Sequence, residues 1–194
     1  MAAIKEESAA QVWLGSAFAE LTGHQPFPWQ GRMFDSLLRG EVPEHVDIAT
    51  GLGKTSVIHL WLLALAWSLE YGPATLSRRL VYVVNRRTVV DQATAEVETI
   101  RERLATAKRG SVLAKVRETL ARTACTAGEP LAISTLRGQF ADNQQWSTDP
   151  FKGKRDCWHR GHGGKPSALF RLWLGPLPPP PSRGTAGPLA VHFR

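Results

Sequence analysis

DIATGLGKTSVIH, residues 47–59, sets two glycines, a lysine and two threonines between a short β-branched run and a strongly apolar one. Upstream, HVDIA at 45–49 is apolar and β-branched enough for a strand that feeds the glycines. Downstream, SVIHLWLLALAWSLEYG at 56–72 is apolar nearly all round, the pattern of a helix packed between a sheet and other helices. A strand, a glycine turn and a buried helix in that order predict an α/β domain with a parallel sheet.

The flanking segments extend the same alternation. Ser8 and Gln11 have capping-box spacing, and Val12, Trp13, Phe18, Ala19 and Leu21 then recur at helical spacing until Gly23. Pro28 suits a first helical position, and Met33, Phe34, Leu37 and Leu38 follow on one face before Gly40 stops the helix. RLVYVVN, 79–85, is a continuous Val/Tyr run, which predicts a strand buried on both faces. Two amphipathic helices, 88–107 and 111–124, break at Gly110, and LAIST at 131–135 is a third strand. One domain is the prior for 194 residues.

The formal charge of +7 suggests a polyanion as partner, but the excess is local. Residues 1–150 hold 16 basic and 16 acidic side chains, whereas 151–194 hold 8 and 1. That last stretch also has seven glycines and seven prolines, four of them consecutive, and no periodic apolar run longer than SALFRLWL. A disordered Pro/Gly/Arg-rich tail is expected there. Cys125 and Cys157 form no C-x-x-C pair, so neither a disulfide framework nor a redox motif is indicated and a reducing cytoplasm fits. The polar N-terminus with two adjacent glutamates does not read as a secretory signal, and the apolar run from 57 to 69 falls short of the ~20 residues of a membrane span.

Glycines at the mouth of a helix let backbone N–H groups close around an anion, where the helix end is positive. In that reading Thr50, Gly51, Leu52 and Gly53 form the cradle. Lys54 reaches the β and γ phosphates, and the Thr55 hydroxyl holds Mg²⁺. The general form G-x-x-x-x-G-K-[ST] asks for glycine at position 48, where this chain has Ile48.

The wording A-T-G-L-G-K-T resembles motif I of superfamily 2 helicases, the DEAD/DEAH-type motors, in which the earlier glycine is commonly missing. That resemblance implies ATP and Mg²⁺ as cofactors and a RecA-like P-loop domain, of which this chain would carry an incomplete first lobe. PFPWQ, 26–30, lies where those motors carry an adenine-reading glutamine. Gln30 is the candidate, since an amide both donates and accepts. The competing reading makes Phe27 and Trp29 anchors of the second helix and Gln30 a solvated surface residue. VVNRRTVVDQA, 83–93, matches the place of motif Ia, which implies that Arg86, Arg87 and Thr88 contact a nucleic-acid backbone. Together with STLRGQF, 134–140, it is most similar to the helicase–nuclease of type I CRISPR systems, over roughly residues 24–150. Thr135 and Arg137 would then lie near motif Ib. The resemblance implies an ATP-driven motor on single-stranded DNA, ahead of RNA, in antiviral defence with a CRISPR surveillance complex as partner. A restriction-type DNA translocase is the other enzyme of this kind. For each arginine, a salt-bridged surface role is the alternative.

Hydrolysis in such motors needs adjacent carboxylates, one for the cation and one for the attacking water. The 194 residues contain no Asp-Glu pair and no His-Asp doublet, so no catalytic set is complete. The expected organisation is a helix at 1–23, a partial ATP-binding domain at 24–150 and a basic tail at 151–194 that is out of frame or degenerate. Three further readings stand beside it: a non-catalytic nucleic-acid-binding module, a gene remnant, and a zinc site from Cys157, His159 and His162.

Overall fold

The computed structural model describes residues 2–43, 46–49, 51–73, 76–84, 87–123, 131–137, 140–141, 168–173 and 189–192. Five α-helices precede most of the sheet: α1 (Ala2–Thr22), α2 (Pro28–Leu38), α3 (Val57–Tyr71), α4 (Arg87–Ala105) and α5 (Val112–Thr123), with a short 3₁₀ turn at Lys54–Ser56. The strands are β1 (Arg79–Val84), β2 (Ala132–Arg137), β3 (Phe140–Ala141), β4 (Ala168–Trp173) and β5 (Leu189–His192).

Helix α3 is the centre of the core. Every residue from Val57 to Ala66 is buried, because α2, α1 and α5 all pack against it. The Trp61 indole is satisfied within this stretch, donating to the Ser77 carbonyl at 3.0 Å. Helix α1 contributes Ala10, Leu14, Ala17, Phe18 and Leu21, a stripe at helical spacing, while Val12 one turn away is 71% exposed. It begins at Ala2 and runs through Ser8, so the Ser8 capping box is not its start. Helix α2 opens on Pro28 and ends before Gly40, whose φ of 73° is in the left-handed region that favours glycine.

Charged side chains finish the helix ends, where backbone groups lack intrahelical partners. Glu20 of α1 accepts from the N–H groups of Val112 and Leu113 at 3.3 and 3.0 Å, placing a carboxylate on the positive end of α5. Arg103 donates to the Leu21 carbonyl at the end of α1, and Arg117 to the Ala105 carbonyl at the end of α4 at 3.1 Å. Gln11 pins α1 to α2 through Gly31 O and Asp35 Oδ1.

The sheet differs from the all-parallel arrangement expected. Its order is β3-β2-β4-β1-β5, with β4 antiparallel to both β1 and β2 and only β5 parallel to β1. Val46–Ala49 forms no strand, which corrects the expected HVDIA strand. The physical reason lies in the ladder: β1 already has β4 on one edge and β5 on the other, so no hydrogen-bonding edge beside it is free for a third neighbour. The boundary expected at residue 150 is crossed as well. Leu80 pairs with Leu172 and Leu189, and Thr135 with Phe170, so two segments of the supposed low-order tail are strands. The ALFRLW run is short but rich in β-formers, and as a central strand it forms ladders on both edges.

Helix α4 lies against β1, β2 and β4. Val90, Ala93, Val97, Ile100 and Leu104 form its buried stripe. No described helix is long and apolar enough to cross a membrane.

Candidate nucleotide-binding site

The glycine loop joins the uncoiled run at 46–49 to the N-terminal end of α3. Gly51 has φ of 90° and Gly53 φ of 73°, backbone states that a side-chain-bearing residue adopts only at a cost of ~1–2 kcal/mol. A Cβ on Gly53 would also come within 3.3 Å of Gln30 Nε2 and 3.7 Å of Ser56 Oγ. Conformation therefore favours glycine at both positions; at 53 the Gln30 amide would also have to give by a few tenths of an ångström, whereas at 51 nothing lies within 4 Å.

From Gly53 the chain winds through one 3₁₀ turn, Lys54–Ser56, into α3. Ser56 closes that turn twice, its N–H donating to Gly53 O at 2.9 Å and its hydroxyl to the same oxygen at 2.6 Å. Lys54 and Thr55 occupy the first positions of the turn, where backbone N–H groups have no carbonyl behind them within the helix. Both side chains are half-buried.

Two elements meet the loop. From α2, Gln30 donates through Nε2 to Ser56 Oγ at 2.6 Å, while its Oε1 accepts the Phe27 N–H at 2.8 Å. Gln30 is 2% exposed. It is thus neither a solvated surface residue nor an amide free to turn to an adenine ring without giving up these bonds. Its neighbour Trp29 donates its indole N–H to Leu52 O at 3.2 Å, so the PFPWQ segment grips the loop at two points. Phe27, at 46% exposed, and Leu52, at 41%, flank that contact as exposed apolar groups.

From β1, the Tyr82 phenol comes close enough to Thr55 for that side chain to influence its titration. Its ring is 2% exposed. Burial pushes the phenol above its ordinary value of 10.0, and Thr55 partly offsets that rise. Neither Tyr82 nor Ser56 stands out from the sequence as a residue of the loop's surroundings. Tyr82 sits mid-strand, 27 positions beyond Thr55, in a run that reads simply as β-forming.

The expected nucleic-acid contacts are more scattered. Thr88 is exposed in the first turn of α4. Thr135, expected on the DNA side, is instead 4% exposed with its hydroxyl 3.0 Å from that of Thr94, where α4 packs on β2. Arg87 and Arg137 are placed by their backbones in α4 and β2, and Thr50 and Arg86 lie outside the described residues. So do Cys157, His159 and His162, and among the described residues no group of three or more His, Cys, Asp or Glu side chains could hold a metal.

Two polar clusters lie apart from the loop. His59 Nε2 meets Glu96 Oε1 at 3.0 Å, with the imidazole 96% buried. At the other end of α3, about 20 Å from the loop by helical rise, Glu70 accepts from Thr119 Oγ1 at 2.9 Å and pairs with Arg122. The Thr119 hydrogen bond is the main cause that holds the Glu70 carboxyl below its ordinary value. No family model, curated protein or solved structure matches the chain.

Proposed function

We propose that the loop from Gly51 to Thr55 binds the phosphate tail of ATP, as part of the first lobe of a nucleic-acid-dependent ATPase of the superfamily 2 helicase type. The observation that carries this reading is the backbone of Gly51 and Gly53, both left-handed, leading straight into Lys54, Thr55 and the N-terminal end of a 15-residue buried helix. Glycines in that state let backbone N–H groups face one point, and the helix end supplies positive potential there. Lys54 adds a formal charge for the outer phosphates. The donor set fits Mg²⁺ arriving with the nucleotide. Thr55 supplies a neutral oxygen, and the phosphates supply the charge that this chain's loop does not. When bound, the ion neutralises charge on the phosphate oxygens.

Gln30 and Trp29 set the loop's position in this reading, and Phe27 and Leu52 offer apolar surface beside it for a base. Thr88 at the start of α4, with Arg86 and Arg87, is the proposed contact with a single-stranded DNA backbone. Thr135 is left out, since its hydroxyl is spent on Thr94. Type I CRISPR defence in the cytoplasm is the setting proposed, supported by the likeness of VVNRRTVVDQA and STLRGQF to that family. These 194 residues contain no Asp-Glu pair, so we assign them binding of the nucleotide and not its turnover.

The test is equilibrium binding of a fluorescent ATP analogue. Lys54→Ala is expected to weaken it at least tenfold, one charge-assisted contact to phosphate being worth ~1.5–3 kcal/mol. Equal affinity of the wild type and Lys54→Ala refutes the reading.

A further inference from the structure

We infer that the site takes nucleoside triphosphates without regard to the base: Trp29 and Gln30, the polar side chains of the PFPWQ segment, are spent on the loop itself, and the surface left for a base is apolar. The inference rests on the nucleotide reading above and adds to it which ligands the site accepts.

The directions of the bonds around Gln30 are forced. The Phe27 backbone N–H can only donate, so the amide oxygen must face it, at 2.8 Å. That turns Nε2 to Ser56 Oγ at 2.6 Å, and the Ser56 hydroxyl gives its own hydrogen to Gly53 O at 2.6 Å. A one-way line of donors thus runs from the first turn of α2 into the glycine loop. Gln30 is 2% exposed, so its amide holds these bonds without water to replace them. To read adenine, the same amide would have to accept from the exocyclic amine and donate to a ring nitrogen. Two bonds would form and two would break, and the Phe27 N–H would lose its acceptor. The Trp29 indole has a single hydrogen, already given to Leu52 O at 3.2 Å. Beside that contact stand Phe27 and Leu52, the exposed apolar pair. An apolar surface meets the face of a base, and every base has one, so such a surface holds bases without sorting them. The loop itself meets the phosphate tail, which all nucleoside triphosphates share.

The full chain, loaded with a fluorescent ATP analogue, is titrated with unlabelled ATP and with unlabelled GTP, and the displacement midpoints are compared. The two are expected to agree within about fivefold, less than the roughly tenfold that one hydrogen bond to a base edge would confer. A wider preference for either nucleotide overturns the inference. Gln30→Met keeps the length of the side chain and removes both of its bonds. Its ratio of ATP to GTP midpoints is expected to stay within about twofold of the wild-type ratio, whatever happens to the two affinities together. A larger change of the ratio means that the amide reads a base, and overturns the inference. The urea midpoint reports whether Gln30→Met folds, and if it does not, the wild-type comparison decides alone. A strong preference for ATP overturns the inference and leaves the nucleotide reading standing, whereas failure of both nucleotides to displace the analogue overturns the two together.

Discussion

At the scale of single residues, the His59–Glu96 pair shows how a buried helix tolerates a titratable group. His59 sits on α3 with Phe18 beside it and reaches out of the core to Glu96 on α4. Its Nδ1 has no hydrogen-bond partner among the described residues, so Glu96 is the group that satisfies the ring. The hydrogen bond from His59 is the main cause that lowers the Glu96 carboxyl from its ordinary value of 4.5; burial opposes it, and Arg103 adds a little more lowering. A carboxyl lowered in the folded state stabilises the protein above its unfolded value, and that contribution is lost as pH falls through the folded one. Glu96→Gln should therefore unfold at lower urea than the wild type at neutral pH. The gap should close as the pH drops below 4.5. A gap that persists in acid would mean that packing, not charge, accounts for the difference.

Helix α3 carries most at the scale of elements. Leu60, Leu62, Leu63 and Leu65 are all fully buried, which requires neighbours on every side. Leu63→Ala is expected to cost ~2–5 kcal/mol, through lost transfer energy and the cavity left behind, and chemical denaturation measures it directly. An effect below ~1 kcal/mol would mean that α3 does not sit in a close-packed core. The same burial serves the loop. The 3₁₀ turn can hold Lys54 and Thr55 in place only if the helix it feeds does not move, and α2 is clamped to that helix and to the turn by Gln30 and Trp29.

The sheet is decided at the scale of the whole molecule. β1 and β2 do not touch as neighbours. They are joined by β4, which comes from the far side of the chain in sequence. A proline in a central strand deletes a ladder donor and leaves its partner carbonyl unpaired. Leu169, opposite Val83 on β1 and Leu136 on β2, is the position to change. Leu169→Pro should lower stability by ~1–3 kcal/mol and speed amide exchange in β1 and β2, as read by mass spectrometry of their peptides. Unchanged exchange in both strands would return residues 168–173 to the low-order tail first expected from composition.

What the residues determined alone is local. Helical spacing, Pro28 and the glycines at 23, 40 and 110 mark where α1, α2, α4 and α5 run and stop, and the two loop glycines mark a tight turn, because each signal is carried within a few residues of the backbone it shapes. What tertiary structure decided is every pairing across distance. It put ALFRLW between β1 and β2, left 46–49 without a strand, buried Gln30 and Thr135, and brought Tyr82 to Thr55. A strand's pattern states that it wants neighbours and not which ones, and an amide or a hydroxyl looks the same in sequence whether it faces water, a ligand or another side chain. Those choices depend on which edges and donors remain once the helices have packed.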